Sequence, residues 1–289
     1  MRDHDGDIAA LQAGLHIRRP ARTGLRLYTT DFDSVSFSDF YRGRQAFLLL
    51  AGPSMATHEL GRLNQRGIVT MGVNNSWALY RPTLWTCVDD PGRFIDTGWK
   101  DPGIMKFIPM SNWNCRLRVQ NPNGSMRASA FRVKQMPSVL LYRRSEHFDH
   151  RNFLDEDAVC WGNHSATKDS LGIKGKRSVM LAALRLLHYL GFRTVYLVGA
   201  DFKMSPEQKY AFNEERSAEA IRHNNALYDA LDKRFAALRE HFQKSRFNVF
   251  NCTPDSGLKA FEHMPYEKAV ERAASECAKP VDTKGWYTT

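Results

Sequence analysis

The chain has 289 residues, 43% of them hydrophobic, with 41 Lys and Arg against 31 Asp and Glu, a net charge of +10 and a pI near 9.4. That length suits one large α/β domain, or one with an inserted lid, and no run approaches the ~18 apolar residues of a membrane span. Cys87, Cys115, Cys160, Cys252 and Cys277 fall singly, which argues against both a disulfide framework and a structural zinc site. The N-terminus lacks the apolar core of a signal peptide, so a reduced, cytoplasmic protein is expected. The basic surplus favours a polyanionic partner such as nucleic acid, a phosphorylated glycan or an anionic membrane, against the plainer reading of a well-solvated surface.

Residues 1–45 show little apolar periodicity and carry Arg18, Arg19, Arg22 and Arg26, so they read as a basic arm whose second half docks through Phe32, Phe37, Phe40 and Tyr41. From Ala46 the pattern becomes regular. Ala46–Ala51 is an apolar run of strand length, Gly52-Pro53 turns the chain, and Ser54 is a good N-cap for a helix over Met55–Leu63. Ile68–Val73 and Leu84–Val88 predict the next strands, ending in Asn74-Asn75 and Asp89-Asp90-Pro91; Ile104–Pro109 and Ser138–Tyr142 predict two more. Residues 143–177 read as loop with short structure, and a loop of that length inside a domain is usually functional or disordered. Ser178–Leu190 predicts an apolar helix stopped by Gly191, followed by a strand over Thr194–Val198. A long helix over 215–243, a strand over Phe247–Asn251 and a helix over Tyr266–Cys277 complete the order, with a second insertion at about 203–222 and a tail at 278–289.

Almost fully apolar strands alternating with helices predict a modified Rossmann-like, doubly wound, mostly parallel sheet over 46–277, with an inserted lid or loop region. Ligands of such sheets bind beyond the carboxyl ends of the strands. That rule gathers Gly52, Pro53, Ser54, Asn74, Asn75, Asp89, Asp201 and Thr253 on one rim as candidate nucleotide-binding residues.

A strand–Gly-Pro-Ser–helix turn presents backbone N–H groups and a hydroxyl to phosphate, or else is only a tight turn and cap. It is neither a Walker loop nor a dinucleotide fingerprint. The Asn74 and Asn75 amides suit a base edge or ribose, or a turn in left-handed geometry. Asp89 and Asp90 could hold ribose hydroxyls or a divalent Mg or Mn beside a diphosphate, and Asp-Pro also simply starts a turn. Lys176 and Arg177, opening the Ser178 helix, add cations able to meet phosphate. His164 and His223 do not stand out as general bases on spacing alone.

Several segments recur in the order of one family: Phe47–Ser54, Val73-Asn74-Asn75, Ser178–Leu184, Gly191–Phe202, Tyr210-Ala211-Phe212 and Phe250–Ser256. Together they resemble the bacterial CMP-sialyltransferases that decorate lipooligosaccharide, and their relatives, including 6-hydroxymethylpterin diphosphokinase-like proteins. The resemblance runs with gaps from about residue 46 to 262. It implies a lid near an acceptor site, a nucleotide-sugar donor, His223 as general base, and Tyr210 assisting the departing phosphate. Lys203 stands where a second tyrosine is expected and would act there by charge. Ala51 replaces an asparagine, and Lys176-Arg177-Ser178 replaces small hydroxyl and glycine residues.

These departures turn the expected donor from a CMP-sugar toward a UDP-sugar, with Asp89 and Asp90 as the candidate ligands of a Mg or Mn ion. The expected function is glycosyl transfer with His223, Tyr210, Lys203 and Arg177 as catalytic residues. With a charge of +10 and an Arg-rich arm, the expected acceptor is a 5-hydroxymethylpyrimidine in DNA, as in bacteriophage base-modifying transferases. Arg143, Arg144, Asn163 and His164 are the acceptor-side candidates. The rival readings are a pterin-type diphosphokinase using ATP and Mg, and a non-enzymatic DNA-binding protein.

Overall fold

The computed structural model describes residues 24–94, 96–121, 125–204 and 217–277. Within them the chain is α/β. The strands are β1 (Leu27–Tyr28), β2 (Ser34–Val35), β3 (Gln45–Leu49), β4 (Val69–Val73), β5 (Leu84–Thr86), β6 (Met105–Pro109), β7 (Arg116–Gln120) and β8 (Met126–Arg132). They continue with β9 (Val139–Tyr142), β10 (Arg144–Ser145), β11 (Val159–Cys160), β12 (Thr194–Val198), β13 (Asn248–Asn251) and β14 (Glu262–His263). The α-helices are a single turn, α1 (Thr97–Lys100), then α2 (Val179–Tyr189), α3 (Ala218–Lys244) and α4 (Tyr266–Cys277).

Ten strands make one sheet in the order β14-β13-β12-β3-β4-β5-β6-β9-β1-β2. All pairings from β14 to β9 are parallel, and β1 and β2 add an antiparallel edge. Residues 24–45 are therefore not wholly an arm. Leu25 and Leu27 are core residues and β1 pairs with β9, while the arginines Arg18, Arg19 and Arg22 lie outside the described residues.

Alternation along the central strands explains why both faces are covered. Ala46, Leu48, Val195 and Leu197 point into a cluster beneath α2 and α3, and Phe47, Leu49, Tyr196 and Val198 into one beneath α4. Farther along the sheet a third cluster, around Trp85, Trp99 and Ile108, is capped by Leu117 and Val133 of the β7–β8 region. An antiparallel ribbon thus covers that part of the sheet where a crossover helix would be usual.

The predicted helix over Met55–Leu63 is not α-helical; two 3-10 turns, Pro53–Thr57 and Leu60–Asn64, take its place. The Thr57 hydroxyl donates to the Ser54 carbonyl at 2.8 Å, competing for the acceptor that a helical ladder would use, and the backbone turns extended at His58. Ser178, by contrast, is a true N-cap, its hydroxyl accepting from the Met180 N–H at 3.2 Å. Among the described residues no helix is long and apolar enough to cross a membrane.

Candidate functional site

Strands β3 and β12 run side by side, from Gln45 opposite Thr194 to Leu49 opposite Val198. From that pair the sheet grows outward in opposite directions, through β4 on one side and β13 on the other. This is the topological switch point, where the loops at the carboxyl ends of the strands part and leave a crevice. A cavity of about 250 Å³ lies there, near the lower end of small-ligand pockets.

The crevice floor is held by one contact. Ser54 donates its backbone N–H to the Asp201 carboxylate at 3.2 and 3.3 Å and its hydroxyl at 2.8 Å. Thr253 accepts from the Ala200 N–H at 2.9 Å and sits 3.3 Å from the Ser54 oxygen, so the tops of β3, β12 and β13 are tied together. Burial pushes the Asp201 carboxyl above its ordinary value, against the opposing pull of the Ser54 hydrogen bonds and the Lys203 charge. A Cβ on Gly52 would stand 2.0 Å from Asp201 Oδ2 and 2.5 Å from the Gly199 carbonyl, so only glycine allows this approach.

The Gly52-Pro53-Ser54 turn therefore differs from the expected phosphate cradle. Its donors are satisfied within the chain, Ser54 by Asp201 and the Gly52 N–H by the Gly199 carbonyl at 3.0 Å, and no extended helix follows it. The helix start that does reach the cavity is α2, whose Ser178, Val179 and Met180 line the wall beside Arg177. Gly162 makes this possible. At φ +119° its backbone bridges to Arg177, and the Ser178 N–H donates to the Trp161 carbonyl at 2.8 Å, which brings Trp161 and Arg177 to one wall.

Asn74 is the other pole. It adopts φ +52°, as asparagine tolerates, and its carbonyl accepts from Trp85 Nε1 at 2.8 Å. Its side-chain Oδ1 is buried without a hydrogen-bond partner among the described residues, on a residue that lines the cavity. A buried acceptor left so costs about 1–3 kcal/mol, which a ligand donor would recover. Lys203 also lines the cavity and donates to the Asp255 carbonyl at 2.6 Å. Aromatic walls come from Trp161, Phe202 and Tyr228.

Of the expected nucleotide-binding residues, Gly52, Pro53, Asn74, Asp89 and Asp201 line the cavity; Ser54 and Thr253 support it from behind, and Asn75 stands outside its wall. Asp89 and Asp90 have different partners. Asp90 accepts from the Gly92 N–H at 2.9 Å as a turn cap, and Asp89 lies 3.8 Å from Arg93. Among the described residues no group of three or more His, Cys, Asp or Glu is placed to hold an ion by itself, and no step below uses one.

The acceptor-side candidates separate. Asn163 is buried, its amide consumed by Arg234 and by the Thr167 and Ile173 carbonyls, so it is a structural residue rather than a binding one. His164 is exposed and accepts from the Ala166 N–H in its own turn. Arg143 is exposed, 3.7 Å from Asp157, in a different small hollow with Gly24 and Tyr28. Arg144 does not line the cavity but lies 4.3 Å over the ring of the wall residue Trp161; its Nη1 pairs with Glu146 at 3.1 Å, and Nε and Nη2 are buried without a hydrogen-bond partner among the described residues. His223 is exposed on α3, one turn before Leu227 on the cavity wall, and Tyr210 lies outside the described residues. The sequence pattern points to the loop that begins at Trp161, on the acceptor side, but missed Tyr228 as a wall residue. It also missed His58, stacked on Tyr266 at 4.6 Å, whose pKa burial lowers against the opposing charges of Glu267 and Asp201.

No known family's sequence profile matches the chain, and no curated protein sequence is detectably similar to it. Among solved structures it is similar to the sialyltransferase CstII from Campylobacter jejuni in complex with a substrate analogue, cytidine 5'-monophosphate. The TM-score is 0.40 and the identity 13%, over 77% of this chain and 85% of that one. A likeness so distant assigns no chemistry, and the site is read from its own residues.

Proposed function

We propose that the chain is a glycosyltransferase that moves a sugar from a nucleotide-sugar to an acceptor hydroxyl. The observation that carries this reading is the switch-point cavity with an unpaired amide oxygen at Asn74 and cations at Arg177 and Lys203. A base or ribose needs a donor–acceptor edge, and a phosphate leaving group needs positive charge; this cavity offers both.

In this reading Asn74 and Asp89 take the nucleoside, while Arg177, Lys203 and the α2 N-terminus take the phosphates. Ala51 also lines the cavity and offers a methyl where the resembling family has an amide; UDP is accordingly the nucleotide we assign. The acceptor oxygen attacks the anomeric carbon as His223 removes its proton. The bond from that carbon to the phosphate oxygen breaks, its electron pair passes to the diphosphate, and Tyr210 and Lys203 stabilise the charge. The net charge of +10 supports a hydroxymethylated base in DNA as the acceptor.

Sugar-nucleotide turnover by wild type, His223→Ala and Lys203→Ala tests this. His223→Ala should lose about 10²-fold or more in turnover while still binding the nucleotide. Normal turnover by His223→Ala would remove the base assignment, and diphosphoryl transfer from ATP without sugar transfer would replace the whole reading.

A further inference from the structure

The segment between β6 and β9 has a composition unlike the rest of the chain. Residues 110–138 contain Arg116, Arg118, Arg127, Arg132 and Lys134 and no Asp or Glu. It leaves β6 at Pro109, on the rim where the cavity lies, and folds into the β7–β8 ribbon. Leu117 is buried and anchors the ribbon to the sheet, while Arg116, Arg118 and Arg127 are exposed. The ribbon also meets the cavity's edge. The Arg118 stem would touch a Cβ placed on Gly92, two residues after Asp90, and Asn112 Nδ2 donates to the Asp89 carbonyl at 3.1 Å.

Two arginines face each other in the ribbon: Arg116 is the cross-strand partner of Arg132. Like charges directly opposite in a sheet repel and weaken it. Arg132 is tied by Nη1 to the Asn114 carbonyl at 2.6 Å and Lys134 lies 4.4 Å over the Trp113 ring; among the described residues neither forms an ion pair with a carboxylate. Asp90, beside Gly92 and the Arg118 stem, is the carboxylate near this cluster, and a surplus of like charge is favourable once an anion spans it. The four ribbon arginines present guanidinium forks, the group best suited to phosphate. A two-stranded β-ribbon also fits the major groove of a duplex.

We propose that the β7–β8 ribbon is a duplex-binding arm that holds the phosphate backbone of nucleic acid beside the cavity. The inference rests on the nucleic-acid acceptor reading above and adds the surface that would hold it. An anionic membrane is the less suitable partner, because among the described residues of the ribbon the exposed large apolar side chains are Met126 and Phe131.

The test measures binding of a labelled DNA duplex, about two helical turns long, by fluorescence anisotropy between about 50 and 200 mM NaCl. The full chain is compared with Arg116→Gln/Arg118→Gln/Arg127→Gln. A control triple variant, Arg66→Gln/Arg239→Gln/Lys268→Gln, removes exposed cations elsewhere. The ribbon variant should lose at least about tenfold in affinity, and its slope of log K against log salt should flatten by about 3, one unit per phosphate contact. The control variant and the wild type should agree within a small factor. Equal binding by the ribbon variant and wild type would overturn the arm and leave the acceptor reading standing. No duplex binding by wild type, or binding of phosphatidylserine vesicles alone, would overturn both. Thermal unfolding of each variant verifies its fold, and a Gly-preserving Arg→Lys version of the ribbon variant, which keeps charge, should recover most of the binding.

Discussion

Ser54 donates its backbone N–H and its hydroxyl to the carboxylate of Asp201, 147 residues further along the chain, and so joins the carboxyl ends of β3 and β12 at the point where the sheet reverses its winding order. The same turn that a sequence reading offers to a phosphate is thereby filled by an internal anion. In the proposed reading, phosphate is met instead by Arg177 and the start of α2, which also line the cavity.

Removing the Ser54 hydroxyl should leave the buried carboxylate short of its best donor. Ser54→Ala is expected to cost about 1–3 kcal/mol in urea unfolding at neutral pH. The sign with pH is definite. Burial raises the Asp201 carboxyl in the folded state, so this group makes folding less favourable as pH rises from 3.8 through the folded value. Ser54→Ala raises it further, so the gap between wild type and variant should widen as pH rises and close in acid.

Gly52→Ala puts a methyl carbon 2.0 Å from Asp201 Oδ2. The strand ends must separate, at a cost of about 1–3 kcal/mol or more, and nucleotide binding should weaken with them. Isothermal titration and thermal unfolding of the one variant read both effects. A Gly52→Ala protein with unchanged stability would show that the approach is not tight.

Arg234 and Asp169 are both fully buried and pair at 2.6 Å, and Arg234 also reaches Asn163 and the Lys176 carbonyl. They hold the 163–176 loop, and with it Arg177, against α3. Arg234→Met should cost about 3–5 kcal/mol because the Asp169 charge is left unpaired. Adding Asp169→Leu should return a large part of that. Limited proteolysis should cut the loop in the single variant and spare it in the double one.

His188 sits in the core against Phe247, and burial together with Arg185 and Arg193 pushes its pKa down to about 3. The unfolded chain protonates this group near pH 6.5 and the folded chain does not. Stability should therefore fall as pH drops from 6.5 toward 3, by up to about 1.4 kcal/mol per pH unit from this residue. His188→Phe should flatten that slope by one proton in pH-dependent urea melts.

The buried parallel strands were legible because continuous apolar runs of strand length carry their own signal: Thr194–Val198 and the Tyr266–Cys277 helix stand where the pattern puts them. The β7–β8 ribbon was not legible. Its outer face is arginine, and its second strand, Met126–Arg132, has alanines and serine where β-branched residues would mark a strand. β1, β2 and β14 are two-residue strands, too short for any period.

The site was legible as a rim but not as a set of contacts. Asn74, Asp89 and Asp201 follow from the strand-end rule, whereas the Ser54–Asp201 bond and the approach of Trp161 to Arg177 depend on loops meeting across the sheet. Asn163 looked available because a Gly-Asn-His loop is polar. Its burial beneath Arg234 is a tertiary fact that no local pattern carries.

The central claim is that the switch-point cavity binds a nucleotide, and thermal unfolding against CMP, UDP, GDP and ATP, with and without Mn²⁺, measures it directly. One nucleotide, UDP in this account, should raise the melting temperature by mass action. Mn²⁺ should add nothing, and Lys203→Ala and Asn74→Ala should each reduce the shift. A melting temperature that none of the four nucleotides moves would contradict the account.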